Sequence, residues 1–461
     1  MPVQPLHVII LAAGQGTRMK SALPKVLHPI AGKPMLGHVL DAARGIEAAA
    51  CHVVHGHGAE AVRTWFGQAY PGDGTVRWVL QAEQLGTGHA VQQAAPQTPD
   101  DALLLVLYGD VPLISPETLG ALTAAAQDAL AIVTVRLEQP AGYGRILRDG
   151  RGRVTGIVEE NDASAEQKKI TEVNTGLLAA PAHLLKPWLA RISNANAKGE
   201  YYLTDVVGLA VRDGGEVKTV SAANAEEVEG VNDRAQLARA ERSYQLKQAQ
   251  RLMREGVQLA DPARFDLRGM LLCGQDVKLD VGVIVEGICE LADRVSIGPY
   301  CVLKNVKLGA DTVVEAHSVL DGVNGGADLH IGPFARLRPG TELADGAKVG
   351  NFVETKKTKV GKNSKINHLS YIGDAELGAD VNVGAGTITC NYDGVNKHQT
   401  VIGDRAFIGS NSALVAPVKI GADATIGAGS VISKDAPAGH LTVARSKQVS
   451  LPGWHRPTKK S

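Results

Sequence analysis

The second half of the chain places an aliphatic residue at every sixth position, and no other feature limits the possible folds so tightly. Ile402, Ile408, Leu414, Ile420, Ile426 and Ile432 form the cleanest run. Ile331, Leu337, Leu343 and Val349 keep the same step, as do Leu279, Val285, Leu291, Ile297 and Leu303. Glycine often follows, as in Ile297-Gly298, Ile372-Gly373, Ile408-Gly409 and Ile426-Gly427. A period of six fits neither the helical repeat nor the two-residue alternation of a strand. It fits short strands joined by tight turns, each coil stacking its aliphatic residue on the coil below, which is a parallel β-helix. A separate N-terminal unit is then expected.

At 461 residues the chain is long enough for two or three domains. Its 48 basic and 48 acidic residues cancel, leaving no basic footprint for nucleic acid beyond a short tail near Lys459 and Lys460. The five cysteines (Cys51, Cys273, Cys289, Cys301, Cys390) are an odd number without C-x-x-C spacing, which points to a reduced, cytoplasmic protein. No apolar run reaches the ~18 residues that a membrane span requires. Val8 to Ala13 has no basic flank before it and runs into a glycine loop, so it reads as a strand and not as a signal peptide.

His7 to Leu11 is a continuous apolar run, as expected of a buried parallel strand. It feeds L-A-A-G-Q-G-T-R-M (11–19) and then Pro24-Lys25. Small residues at Ala12, Ala13, Gly14 and Gly16 let backbone N–H groups approach a phosphate, and Arg18 and Lys25 add permanent charge. Gly-x-Gly alone also suits an ordinary strand-to-helix turn, and neither the third glycine of a dinucleotide fingerprint nor a P-loop Gly-Lys-Ser/Thr is present. The added Arg18 and Pro24-Lys25 favour the phosphate loop.

In Q-A-E-Q-L-G-T-G-H-A (81–90) a second small-residue loop opens a helix, with Gly86 and Thr87 available to a base or ribose. Leu103 to Leu107 is an apolar strand ending in Tyr108-Gly109-Asp110. An Asp there sits where α/β sheets bind ligands and suits Mg²⁺, or equally caps a helix. The segments at 142–146, 156–160 and 174–176 read as strands with polar ends. His52, His55 and His57 invite a metal reading, which strand alternation and the lack of a completing carboxylate or Cys argue against. From Asp233 to Glu255 the chain lacks Gly and Pro, and a connector helix is expected, on the order of 35 Å long. Its apolar stripe is expected at Ala235, Ala238, Leu246, Ala249 and Met253.

The six-residue step slips from Leu303 to Leu308, from Val349 to Val360 and from Ile372 to Leu377, and a long insertion separates Val383 from Ile402. Insertions in solenoids are loops on one face and often bind something. Arg338, Lys356, His368, Tyr371, Asn382, Asn391 and Tyr392 gather there. His368 is either structural or, with those cationic partners, a general base near pH 7.

The loop G-x-G-T-R-M with its Pro-Lys pair resembles the sugar-1-phosphate nucleotidyltransferases. Val228-Glu229-Gly230-Val231-Asn232 and Glu200 to Asp205 continue that likeness. The hexapeptide array with N-F-V-E-x-K-K, H-L-x-Y-I-G-D-A and N-x-G-A-G-T-I-T-C-N-Y-D-G resembles the bifunctional N-acetylglucosamine-1-phosphate uridyltransferase/glucosamine-1-phosphate N-acetyltransferase family, from residue 7 to 456. Departures are Ser370, where Thr is common, and Asn161 after Glu159-Glu160.

The resemblance implies a Rossmann-like α/β nucleotidyltransferase domain at 1–232, a linker helix at 233–256 and a left-handed parallel β-helix of hexapeptide repeats at 257–461. For uridylyl transfer it implies UTP held by Leu11, Ala12, Ala13, Gly14 and Lys25, with Arg18 and Lys25 as the catalytic residues that neutralise its phosphates and uracil read by Gln81, Gly86 and Thr87. Tyr108, Gly109 and Asp110 join the nucleotide-sugar site, with Gly144, Glu159 and Asn174 on the sugar and Mg²⁺ on Asp110 and Asn232. For acetyl transfer it implies His368 as base and Arg338, Lys356, Tyr371 and Asn382 on glucosamine-1-phosphate. Ala385, Asn391, Tyr392, Ser410, Ala428 and Arg445 would line the acetyl-CoA channel. It also implies a homotrimer through the β-helix. Three other outcomes stay open: a nucleotidyltransferase whose β-helix only regulates or assembles, an acyltransferase with a dead N-terminal half, and a non-enzymatic assembly subunit.

Overall fold

The computed structural model describes residues 4–56, 58–457 and 459, so His57 and Lys460 lie outside it. The chain forms two compact units that divide between Tyr244 and Gln245.

In the first unit, β1 (Leu6–Leu11), β2 (Ala50–His55), β3 (Val76–Leu80) and β4 (Leu103–Tyr108) are parallel neighbours. The sheet continues with β5 (Leu130–Arg136), β6 (Arg145–Arg148), β7 (Val154–Val158), β8 (Glu172–Pro181) and β9 (Val217–Ser221). Its order is β9-β5-β8-β4-β1-β2-β3, with β8 antiparallel to both neighbours and the β6–β7 hairpin attached to β8. The apolar runs are continuous because both faces are covered. Val8 and Ile10 pack with Leu36, Leu40, Phe66 and Leu119 on one side. Ile9, Leu104 and Val106 pack with Val91, Leu185 and Val206 on the other.

The second unit is a parallel β-helix with one continuous core that takes in every aliphatic residue of the six-step runs. Leu279 pairs with Ile297, eighteen residues on, so three six-residue steps make one coil. Ile297 pairs with Val314, seventeen on, where the slip at Leu308 removes one residue. Val383 pairs with Ile408, twenty-five on, and that coil carries the insertion.

The helix α1 runs from Arg234 to Arg254, but its apolar stripe differs from the expected one. Ala235 and Ala238 are exposed, as are Leu246 and Met253 at 43% and 38%. Only Ala249 of the expected set is buried. The inward face is Leu237, Ala240, Tyr244, Gln245, Ala249 and Leu252. Sequence patterning missed it because Gln245 is fully enclosed, its amide exchanging two hydrogen bonds with the Leu267 backbone at 2.8 and 3.1 Å. A buried, satisfied amide breaks an apolar stripe without exposing the face. No helix among the described residues is long and apolar enough to cross a membrane.

Candidate active sites

In the first unit, β1 and β4 end side by side, Leu11 opposite Tyr108, which places the loops after both strands at one rim. The Gly109 N–H donates to Leu11 O at 2.9 Å. Gly16 takes φ +63°, and a Cβ there would lie 2.7 Å from Lys25 Cβ, so only glycine lets the loop close over Lys25. A cavity of about 310 Å³ is lined by Leu11, Ala12, Ala13, Gly14, Lys25, Gln81, Gly86, Thr87, Tyr108 and Asp110. A second, of about 340 Å³, shares Tyr108 and Asp110 and adds Arg18, Asn232 and Gln236. The phosphate-loop, base-reading and acidic residues expected from sequence therefore meet at one rim.

The Lys25 ammonium contacts the Asp110 carboxylate and donates to Asn232 Oδ1 at 3.2 Å. These two side-chain oxygens, over a hundred residues apart in sequence, both face the Lys25 ammonium. That donor set suits Mg²⁺, which keeps most of its sphere for water and substrate phosphates. Burial, with Asp110 and Glu159 adding to it, pushes the Tyr108 phenol well above its ordinary range, so it stays neutral.

Gly144, Glu159 and Asn174, the residues expected to read a sugar, gather beside a register shift in β8 between Asn174 and Leu178. Asn174 N–H donates to Gly144 O at 2.8 Å, and a Cβ on Gly144 would press on Ile157 and Glu159. Gly176, at φ +87°, leaves room for the Tyr108 ring, which a Cβ would approach to 2.6 Å. The Thr204 hydroxyl donates to Glu159 Oε1 at 2.8 Å and fixes that carboxylate. Neither Gly176 nor Thr204 was assigned a role from sequence, since their partners are set only by the fold. Of the histidine cluster, His52 pairs with His7 at 3.0 Å and His55 with Arg63 at 2.9 Å.

In the β-helix, Asn351, His368, Ala385, Ser410 and Ala428 occupy one corner in successive coils. Their carbonyls accept, in order, the N–H groups of Leu369, Gly386, Asn411 and Gly429, and last the Arg445 guanidinium at 2.7 Å. Arg445 thus fills the place that the next coil's amide would take. His368 Nδ1 lies 2.8 Å from Asn351 Oδ1. An amide oxygen can only accept, so Nδ1 carries a proton, and in the neutral ring Nε2 is the nitrogen left to accept one.

This corner joins two different sheets. Asn382 lies on the sheet before it, Lys356 and Tyr371 lie on the sheet after it, and Arg338 directly follows a strand of that second sheet, Arg336–Leu337. Lys356 pairs in register with Gly373, where a Cβ would lie 2.5 Å from the Tyr371 hydroxyl. Asn391, at the start of the insertion, contacts Asp374, and Arg338 pairs with Glu354 at 2.8 Å. Lys397, from the insertion, holds the Lys356 ammonium below its usual pKa, and Arg338 adds to that. Sequence reasoning assigned nothing to Lys397 or Asn351. Asn351 precedes His368 by seventeen residues, one coil length, and that spacing is the signal that would have found it. Tyr392 is 59% exposed, its hydroxyl donating to Gly394 O.

Residues 8–198 match the model of the MobA-like NTP transferase domain, and residues 399–434 that of the bacterial transferase hexapeptide (six repeats). The bifunctional protein GlmU of Alkalilimnicola ehrlichii is 62% identical, covering 98% of this chain and 97% of its own. That of Marinobacter nauticus is 58% identical over 99% and 100%. A solved UDP-glucose pyrophosphorylase in complex with UDP-glucose aligns at TM-score 0.45 and 17% identity, over 53% of this chain and 100% of the other. With identity of this order along its whole length, the chain belongs to the bifunctional GlmU family and is a bifunctional transferase.

Proposed function

We propose that the chain makes UDP-N-acetylglucosamine in two steps, one in each unit. In the β-helix, the 2-amino group of glucosamine-1-phosphate attacks the acetyl-CoA thioester carbonyl. The C–N bond forms, the C–S bond breaks, and CoA leaves as a thiolate that takes up a proton. A protonated amine has no lone pair to attack, so a base must receive its proton, and His368 Nε2 is that base. Arg338, Lys356, Tyr371 and Asn382 hold the sugar phosphate, with Lys397 as a further cation. Ala385, Ser410, Ala428 and Arg445 carry acetyl-CoA along the corner column, and Asn391 and Tyr392 contribute from the insertion.

In the first unit, a phosphate oxygen of N-acetylglucosamine-1-phosphate attacks the α-phosphorus of UTP and pyrophosphate leaves. Leu11, Ala12, Ala13, Gly14, Tyr108 and Gly109 line the nucleotide site, and Gln81, Gly86 and Thr87 read uracil. Gly144, Glu159 and Asn174 read the sugar, and Arg18 and Lys25 neutralise and align the phosphates. Asp110 and Asn232 would hold Mg²⁺, which supplies charge neutralisation at the phosphates when bound.

The observation that carries this reading is the tautomer that Asn351 imposes on His368. A β-helix serving only regulation or assembly has no need of a histidine whose outer nitrogen is kept ready to accept a proton. The test assays both activities on each of two variants. His368→Ala is expected to abolish acetyl-CoA-dependent CoA release while uridylyl transfer stays near wild type, and Asp110→Ala to do the reverse. Equal loss of both activities in either variant contradicts two independent sites. We also infer a cytoplasmic enzyme that assembles as a homotrimer through its hexapeptide repeats, which light scattering of the intact chain tests directly.

A further inference from the structure

Helix α1 opens with a capping arrangement displaced by one residue. Asp233 Oδ1 accepts the N–H of Gln236 at 2.8 Å, as an N-cap residue does. In a capping box the side chain three positions into the helix returns to the N–H of the cap residue itself. Here Gln236 Oε1 accepts the N–H of Asn232, one residue earlier, at 2.7 Å. Asn232 is the residue whose Oδ1 faces the Lys25 ammonium, and its Nδ2 donates to Gly230 O at 3.2 Å. Its predecessor Val231 is tied to the other acidic-site residue, its N–H donating to Asp110 O at 2.8 Å. Gln236 also borders the cavity that holds Arg18, Asp110 and Asn232. The Asn232 backbone is thus held on both sides, through its neighbour Val231 by the turn at Asp110 and directly by the first turn of the helix.

We propose that Gln236 is a positioning residue for uridylyl transfer: it locks the Asn232 backbone so that the carboxamide oxygen points at the cation position shared with Asp110. This rests on Asp110 and Asn232 being the pair that holds the divalent cation. Asn232 is a neutral ligand on an irregular segment, and its contribution depends on being aimed before the cation arrives. Partners of this outer kind typically change metal affinity by about 10–100-fold when removed. The shifted cap gives the helix start two separable duties, since Asp233 stabilises the helix and Gln236 aims Asn232.

The test uses the full chain and the variants Gln236→Met, Gln236→Glu, Asp233→Ala and Asn232→Ala. Gln236→Met keeps length and apolar contact without an acceptor, whereas Gln236→Glu keeps an acceptor oxygen. Mn²⁺ binding in the presence of UTP is read from the spin-resonance signal of free Mn²⁺, alongside the melting temperature and the Mg²⁺ dependence of uridylyl transfer. Gln236→Met is expected to weaken Mn²⁺ binding and raise the Mg²⁺ requirement by about tenfold. Gln236→Glu should stay within about twofold of wild type, as one retained hydrogen bond implies. Asp233→Ala should melt at lower temperature with Mn²⁺ binding unchanged. Wild-type Mn²⁺ binding by Gln236→Met, with Asn232→Ala weakened, overturns the inference. Equal weakening in Gln236→Met and Asp233→Ala reduces Gln236 to a helix cap and also overturns it. Wild-type binding by Asn232→Ala instead removes Asn232 from the cation site, and the inference falls with that assignment.

Discussion

At the scale of single residues, the nucleotide site depends on side chains held by positions that carry no chemistry. Gly176 is the clearest case, because its φ of +87° and the Tyr108 ring both exclude a Cβ. Gly176→Ala should displace Tyr108 and destabilise the first unit by about 1–3 kcal/mol, the usual range for such strain and overpacking. Uridylyl transfer should fall with it while acetyl transfer is kept, and an unchanged melting curve with full activity would refute this. A second residue-scale effect concerns pH. Burial, then His7 and Arg77, lowers the His52 pKa to about 4, below the ordinary 6.5. The folded state therefore favours neutral His52, so its contribution is complete above pH 6.5 and is lost as pH falls towards 4. At about 1.4 kcal/mol per pH unit the loss is on the order of 2–3 kcal/mol. Between pH 6.5 and 4.5 the first unit of the wild type should lose more stability than that of His52→Leu, which thermal melts across that range will measure.

At the scale of elements, coil length separates scaffold from site. Coils of seventeen and eighteen residues stack without loops, and the twenty-five-residue coil has seven more than the longest of these. The surplus lies between the strands Ile388–Cys390 and Thr400–Ile402. There Asp393 accepts from the Val395 and Asn396 amides and from His398, an arrangement that holds its carboxyl far below the usual range. Deleting residues 392–398 should restore an eighteen-residue coil. The variant is expected to keep a cooperative melting transition and lose acetyl transfer, whereas unfolding of the β-helix would show that the insertion is structural. Helix α1 teaches the opposite lesson about patterning. Its inward face is partly polar, with Gln245 buried and Glu241 accepting the Ala31 N–H at 2.7 Å, so a search for apolar periodicity selected the wrong side.

At the scale of the whole molecule, the two units part between Tyr244 and Gln245, inside a helix and not in a loop. The first turns of that helix belong to the nucleotide site's support: Leu237, Ala240 and Tyr244 pack with Ile30 and Met35, just beyond Lys25. A chain ending at Arg254 should therefore retain uridylyl transfer, and one ending at Asn232 should lose most of it. Equal activity of the two fragments would show that the helix contributes nothing to the site.

The sequence by itself determined the β-helix, because a six-residue aliphatic period admits almost no other packing. It also determined the glycine loop with Arg18 and Lys25 and the Asp110 that follows β4, since glycine spacing and charge there are local properties of a contiguous stretch. Tertiary structure alone decided which distant residues meet. Asn232 joins Lys25 and Asp110 across more than a hundred residues, Asn351 reaches His368 one coil away, and Lys397 folds back on Lys356. Periodicity reports which side of an element is buried only when that side is apolar. The polar contacts that aim these side chains are long-range, and apart from the one-coil spacing of Asn351 and His368 they leave no periodic trace in the chain.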